Sequence, residues 1–347
     1  MSSYPDSEMK ICSVCVLPET FPGIRFDAEG VCSHCQGFSG KREAREGEKE
    51  EYRKRFHSLL DSLFRDGRIR NGSYDILMAY SGGKDSTYTM ALLMKRYGLR
   101  VLAVSFDNGF LSGTAVENIR RVTDGLGIDH LSFKPRWELL KTIFRTSAER
   151  ELYAPKSLER ASTICTSCMG LVKSVCMKMA VEMSIPLIGY GWSPGQAPLH
   201  SALMRNNPSL VRMAQQAVLT PLRAVAGSEV DAYFLTDRHY ALPERFPYNV
   251  HPMAWEPYRE KSILDGIREL GWTAPRDTDS NSTNCLLNAY ANEVHLRRYR
   301  FHPYAMEIAS MVRAGVMERS EGYRKIYGAQ PEGMIREVRE KLGVACP

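Results

Sequence analysis

Tyr80-Ser81-Gly82-Gly83-Lys84-Asp85-Ser86-Thr87 is the stretch whose reading decides the fold. It follows an apolar run, Ile76-Leu77-Met78-Ala79, and precedes Tyr88-Thr89-Met90-Ala91-Leu92-Leu93-Met94. The first run reads as a buried strand, and the second carries apolar residues at helical spacing. Between them, two glycines let backbone N–H groups approach a ligand closely, and the hydroxyls can cap the helix. A glycine-rich turn feeding a helix N-terminus is an anion site, because unpaired N–H groups and the helix dipole point at it. Lys84 adds a point charge suited to phosphate. The expected ligand is a phosphate.

Working outward, strands alternate with helices. Val101–Phe106 reads as a strand, 116–126 as a helix, Asp129–Phe133 as a third strand and Ile185–Tyr190 as a fourth. Such alternation predicts an α/β fold, a parallel sheet with crossover helices on both faces. Ligands of these sheets bind at the carboxyl ends of the strands, which places Asp107 and Asn108 near the ligand of the glycine loop. Gly189, Gly191 and Trp192 end the fourth strand and border the same cleft.

At 347 residues the chain can bury a large core, and its length suggests about two domains. Hydrophobic residues make up 44% and charged ones 25%, ordinary for a globular chain. The net charge of +6 accommodates an anionic substrate or RNA without demonstrating either. No apolar run approaches the roughly 18 residues that span a bilayer, and Met1-Ser2-Ser3-Tyr4-Pro5 does not read as a signal peptide. The expectations are the cytoplasm and no membrane partner.

Six of the nine cysteines stand in Cys-x-x-Cys pairs, which points to metal or redox chemistry rather than a disulfide frame. Cys12-Ser13-Val14-Cys15 and Cys32-Ser33-His34-Cys35 fit the four-thiolate zinc pattern, two knuckles converging on one tetrahedral ion. Pro18, Pro22, Gly23 and Gly30 between them suit the turns of a small zinc ribbon. The metal would contribute most of the folding energy of so small a module. His34 reads as solvated, with replacement of one cysteine as the alternative.

Residues 41–55 are rich in Lys, Arg and Glu at helical spacing and read as an exposed linking helix. Phe56, Leu59, Leu60, Leu63 and Phe64 form an apolar stripe that docks on the main domain, and Asn71-Gly72 is a turn. The chain thus divides into a ribbon (1–40), linker helices (41–72), the α/β domain (73–260) and a helical C-terminal region (261–347). Thr163-Ile164-Cys165-Thr166-Ser167-Cys168-Met169-Gly170 precedes a helix whose apolar stripe holds Val172, Val175, Cys176, Met179, Ala180 and Met183, with Cys176 read as core. Residues 196–259 read as helices and loops forming a substrate-side wall or an oligomer contact, for instance in a homodimer. A helix opening at Tyr258-Arg259-Glu260-Lys261 runs to Leu270, stopped by Gly271. The polar loop 277–284 ends in Cys285 at a helix start, a place that lowers thiol pKa values. Residues from Asn288 onward read as amphipathic, basic helices, with Cys346 in the tail.

The order Ser-Gly-Gly-Lys-Asp-Ser resembles the PP-loop of the ATP pyrophosphatases (adenine nucleotide alpha hydrolases), whose domain is of the HUP type. The resemblance implies that Ser81, Gly82, Gly83, Lys84, Asp85 and Ser86 hold the pyrophosphate of ATP while a substrate oxygen attacks the α-phosphate. It further implies Mg²⁺, which Asp85 helps to hold or whose loop it supports, adenosine contacts from Asp107 and Asn108, and a phosphate contact from Lys261 or none. Cys12 to Ile24, continuing through Phe26, Asp27 and Cys32, looks like the start of N-acetyl sugar amidotransferases, which use ammonia from a separate glutaminase. Cys165, Cys168 and Cys285 match the pair-plus-single pattern of zinc-containing tRNA 2-thiolation enzymes, in which three cysteines hold an iron–sulfur cluster.

Three readings follow. A sulfur-inserting enzyme would use Cys165, Cys168 and Cys285 as catalytic groups, with a [4Fe-4S] cluster or a persulfide and a sulfur carrier. A nitrogen-inserting enzyme would amidate a sugar or other small molecule. A non-catalytic nucleotide- or RNA-binding module would bind without turnover, and the Lys84-Asp85 pair argues against it. The chain lacks an evident RNA-binding appendage, so a small-molecule acceptor stands beside tRNA.

Overall fold

In the computed structural model, residues 9–38, 42–196 and 198–345 are described; Cys346 lies outside them. Six strands form one sheet: β1 (Ile76–Ala79), β2 (Val101–Phe106), β3 (Asp129–Phe133), β4 (Leu187–Tyr190), β5 (Leu203–Arg205) and β6 (Tyr248–Val250). Their order is β3-β2-β1-β4-β6-β5. All neighbours are parallel except β5, which runs antiparallel to β6 at the edge. The chain first winds outward from β1 to β3, then returns to place β4 on the other side of β1. The crevice between the carboxyl ends of β1 and β4 is therefore the switch point where such sheets bind ligands.

Alternation along the strands assigns the two faces. Ile76, Met78, Val101, Ala103 and Leu187 pack with Phe56, Met90, Leu93, Ile119 and Ile267 of covering helices. Leu77, Leu102, Val104, Ile188 and Tyr190 face the other way, against Cys176, Met177, Ala180 and Val181 of the helix Thr163–Glu182. A period of two, buried on both faces, produces the near-continuous apolar runs seen in the sequence. The expected parallel sheet with helices on both faces is present, with a four-cysteine group before it and a helical region after it.

Several details differ from the sequence reading. β5 and β6 lie inside 196–259, which carries sheet as well as a helix, Pro208–Ala226. Three-residue strands hold too little period-two pattern to be read, and their neighbours stabilise them. The Cys165–Cys168 pair lies within the first turns of its helix, capped by Ser162, rather than before it. Phe64 is 60% exposed and Met183 45%, because each lies at a helix end beyond the surface its stripe covers. The helix Thr163–Glu182 is long and apolar enough, by length and composition, to cross a membrane. The run-length reading missed it because Lys173 and Lys178 interrupt the apolar residues; half of its apolar window is buried in the protein.

The two ends of the chain meet. Val16, Leu17 and Phe21 of the ribbon pack against Phe301, Met306, Ile308 and Ile326 of the C-terminal helices. Arg319 donates to the carbonyls of Cys15 and Cys12 at 2.9 and 2.8 Å, and the Tyr327 hydroxyl donates to Val16 O at 2.8 Å.

Candidate active site

The glycine loop closes β1 and opens the helix Lys84–Lys95. Gly82 has φ +74°, and a Cβ there would meet Ala115 O at 2.6 Å, so both backbone shape and space require glycine. The Gly82 carbonyl accepts from Trp272 Nε1–H at 2.9 Å. Ser81 and Ser86 place their hydroxyl oxygens 3.0 Å apart, and Gly83 N–H reaches Ser81 Oγ at 3.3 Å. Lys84 N–H donates to Thr283 Oγ1 at 3.1 Å, which brings the polar loop 277–284 onto the helix N-terminus. Gly191 seals the other wall: a Cβ there would collide with the backbone of Asp85 and Ser86. Gly191 is thus the residue that lets β4 lie against the loop.

Lys84 is buried, and its ammonium donates to Glu260 Oε1 at 2.6 Å and Tyr258 Oη at 2.9 Å, with Asp85 Oδ1 at 3.7 Å. Burial alone would lower its pKa, but Asp85, Tyr258 and Glu260 outweigh burial and hold the ammonium charged, above an ordinary lysine. Asp85 also accepts from the Tyr258 hydroxyl at 3.1 Å, and burial raises its pKa against the pull of Lys84. Lys261 points to solvent and pairs with Asp265 at 3.0 Å, so the loop's partner on this helix is Glu260. Sequence reasoning gave Glu260, Tyr258 and Thr283 no role at the loop, because their types are common and their distance along the chain from Lys84 carries no spacing signal.

A cleft of about 610 Å³ opens beside the loop. Ser81, Ser86, Asn108 and Gly191 line it, as do Cys165, Cys168 and Cys285. Asn108 Nδ2 is 3.6 Å from Cys168 Sγ and 3.5 Å from Cys285 Sγ. Cys165 Sγ lies 3.9 Å from Asn288 Oδ1, which also accepts from the Tyr304 hydroxyl at 2.9 Å. The three cysteines, from two elements more than 110 residues apart in the chain, therefore share one pocket with the loop. Asp107 does not join them: it binds Lys134 Nζ at 2.9 Å and accepts from Gly109 N–H. Asn108 turns its amide to sulfur.

Burial pushes the Cys165 thiol up to about 12 and raises Cys168 and Cys285 as well. This corrects the expected lowering at Cys285. Its helix begins only at Leu287, and the backbone N–H groups near the sulfur do not offset desolvation.

The N-terminal set is built differently. Cys12, Cys15, Cys32 and Cys35 are buried, with ligand atoms all within 4.8 Å of one another. Cys12–Cys35 and Cys15–Cys32 sulfur distances are 3.8 and 3.7 Å. A tetrahedral ion with arms of about 2.3 Å sets sulfur–sulfur edges of about 3.8 Å, so the set fits one such metal. Backbone N–H groups of Cys15 and Cys32 reach Cys12 Sγ, and Arg313 reaches Cys15 Sγ at 3.6 Å, which offsets thiolate charge. His34 stays outside this group, edge-on to Phe21 at 6.0 Å.

A glycine-rich strand–loop–helix at the switch point of a mostly parallel sheet defines the class: an α/β protein whose fold and loop resemble those of PP-loop ATP pyrophosphatases. No protein-family model matches the chain. It is similar to an uncharacterized protein of Methanocaldococcus jannaschii, 21% identical over 332 residues, 95% of this chain and 98% of that one. It is also similar to the glutamine-hydrolyzing GMP synthase of Thermus thermophilus, 35% identical over 85 residues. That likeness covers 24% of this chain and 17% of the synthase, and it fits the PP-loop resemblance. Among solved structures, the U34-tRNA thiolase NcsA from Methanococcus maripaludis with its [4Fe-4S] cluster is 15% identical, with TM-score 0.36 over 97% of this chain and 89% of that one. NMN synthetase from Francisella tularensis is 10% identical, with TM-score 0.37 over 86% and 98%.

Proposed function

We propose that this protein adenylates an acceptor oxygen with ATP, releases pyrophosphate, and then transfers sulfur to the activated carbon. The observation that carries the reading is Asn108, which reaches Cys168 and Cys285 together in the cleft that holds Ser81 and Ser86. Ser81, Ser86 and the N–H groups of Gly82 and Gly83 receive the leaving pyrophosphate, and Lys84 supplies charge. Asp85 and Glu260 form the oxygen donor set that suits Mg²⁺, and both hold the Lys84 ammonium in this structure. Cys165, Cys168 and Cys285, which line one cleft with Asn108 between two of them, would supply three thiolates to an iron–sulfur cluster. A bound cluster would supply an iron with a position free for sulfur. Zinc is the ion for the four N-terminal cysteines, with a structural role.

Iron and acid-labile sulfide assays after anaerobic purification, with product analysis of ATP turnover, test this reading. AMP and pyrophosphate are expected, with iron that is lost on replacing Cys168. ADP and orthophosphate would overturn it. A second reading, nitrogen insertion into an adenylated sugar or other small molecule, is favoured by the likeness to GMP synthase. Full product formation by Cys285→Ala with ammonia as nucleophile would select it.

A further inference from the structure

Adenylation leaves one requirement unmet by the loop. Hydroxyl and amide oxygens are weak nucleophiles, and attack on phosphorus must release a proton to some group in the site. Ser81, Ser86 and Lys84 are donors to phosphate. Among the described residues lining the cleft there is no histidine, the thiols are pushed up by burial, the Lys173 ammonium is seated over the Trp192 ring at 4.6 Å, and the one carboxyl is Glu307.

Glu307 comes from the C-terminal helix Ala305–Arg313 and lines the same cleft as Ser81 and Ser86 of the glycine loop. The segment after β4 is wrapped around it. Ser193 Oγ donates to Glu307 Oε1 at 2.6 Å, the Gln196 side chain adds a second donor, and Gln196 Oε1 accepts from Ser193 N–H at 2.7 Å. Gly195 permits this closeness, since a Cβ there would collide with the Glu307 carbonyl. The described ion pairs do not include Glu307, so neutral donors hold it in place. The charged groups with the largest influence on it are Asp85 and Lys84 from the loop helix, and the Tyr304 hydroxyl, from the residue that caps its own helix, also acts on it. Arg160 is spent on the carbonyls of Gly195 and Gln196.

We propose that Glu307 is the base that takes the acceptor's proton as the acceptor oxygen attacks the α-phosphate. The proposal rests on the adenylation reading and holds for sulfur and nitrogen insertion alike. The acceptor oxygen bonds to the α-phosphorus, the bond from that phosphorus to the pyrophosphate oxygen breaks, and pyrophosphate leaves with the electron pair. The proton of the acceptor's O–H, or of an N–H next to its carbonyl, passes to a Glu307 oxygen and from there to water. The acceptor class is thus a hydroxyl or an amide with a removable proton. Burial, the largest influence, pushes this carboxyl up to about 7, and Ser193 pulls it down. A carboxyl there is ionised and competent as a base above neutrality and is protonated below it.

Water serves as the probe acceptor, and slow release of pyrophosphate from ATP is followed across pH 5.5 to 9, which brackets the shifted group by roughly 1.5 to 2 units on each side. The wild-type rate should rise through an acid limb near neutrality. Glu307→Gln should lower the rate about 10²-fold, the lower end for a general base, and abolish the limb, with affinity for a non-hydrolysable ATP analogue unchanged. Ser193→Ala should move the limb to higher pH, because the carboxylate loses a donor; a merely structural role would leave it in place. A limb that survives in Glu307→Gln overturns the inference. If that variant does not fold, a limb unmoved in Ser193→Ala overturns it instead. Pyrophosphate release with no such limb defeats the base and spares adenylation, whereas ADP and orthophosphate, or no turnover, defeats both.

Discussion

The knuckle cysteines and the cleft cysteines begin from the same Cys-x-x-Cys unit. Cys12, Cys15, Cys32 and Cys35 are closed off, 0 to 6% exposed, with two sulfur pairs at the edge length of a small tetrahedron and all four within 4.8 Å of one another. Cys165, Cys168 and Cys285 are partly exposed and share the wall of a cleft with the glycine loop. The knuckles sit on short turns 16 residues apart, so local backbone shape brings them together. The cleft set depends on a helix turn and a loop that only the folded core brings into register. A closed set suits an ion that holds structure, and an open set beside the glycine loop suits a group that meets substrate.

Experiments can break that contrast, and the largest effect belongs to the closed set. Replacing Cys12 and Cys15 by Ser should remove one bound zinc per chain and destabilise the ribbon together with the helices 305–313 and 319–327 packed on it. The zinc free energy of isolated fingers is about 10–16 kcal/mol, so even a fraction of it would appear as a large fall in thermal midpoint. Metal analysis showing unchanged zinc would refute the site.

On the open side, Lys84→Ala should lower pyrophosphate release by about 10²–10³-fold, as loss of a charge-stabilising donor does. It also leaves Asp85 and Glu260 facing each other without their cation, so a modest fall in thermal midpoint is expected beside the kinetic loss. Equal rates in mutant and wild type would remove Lys84 from the chemistry.

Asn108→Ala sharpens the contrast further. It removes the amide that Cys168 and Cys285 share, and outer-shell losses of this kind weaken metal retention by about 10–100-fold. Iron content should fall while zinc content stays constant; a fall in zinc would mean that the two sets are not independent.

The smallest effect is expected at Cys176, on the helix that carries Cys165 and Cys168 but turned into the core. Cys176→Ala should cost about 1 kcal/mol of stability, within the usual range for a small buried side chain, and leave both metals untouched. Iron loss in this variant would show that the helix, rather than its cleft face, holds the cluster.

The glycine loop was legible because its chemistry is local. Gly82, Ser81 and Ser86 act through turn shape and a helix N-terminus, all contained within eight residues. The knuckles were legible for the same reason. Lys84 was recognised, but not its partners: Tyr258 and Glu260 are more than 170 residues away, and nothing in their spacing points to a lysine. Asp107 and Asn108 were placed correctly at the end of β2, yet alternation along the chain turned one to Lys134 and the other to the thiols.

By itself, then, the sequence determined the alternation of strands and helices, the glycine loop between the first strand and its helix, and the four-cysteine group, since each depends on periodicity or on contacts within a few turns. Only the tertiary structure decided that β6 and β5 extend the sheet, that Cys285 meets Cys168 across Asn108, and that Glu307 reaches the cleft. These outcomes rest on pairs separated by dozens to hundreds of residues. Their side chains are ordinary in type, and their closeness is set by how the apolar faces of distant elements pack rather than by the residues that end up in contact.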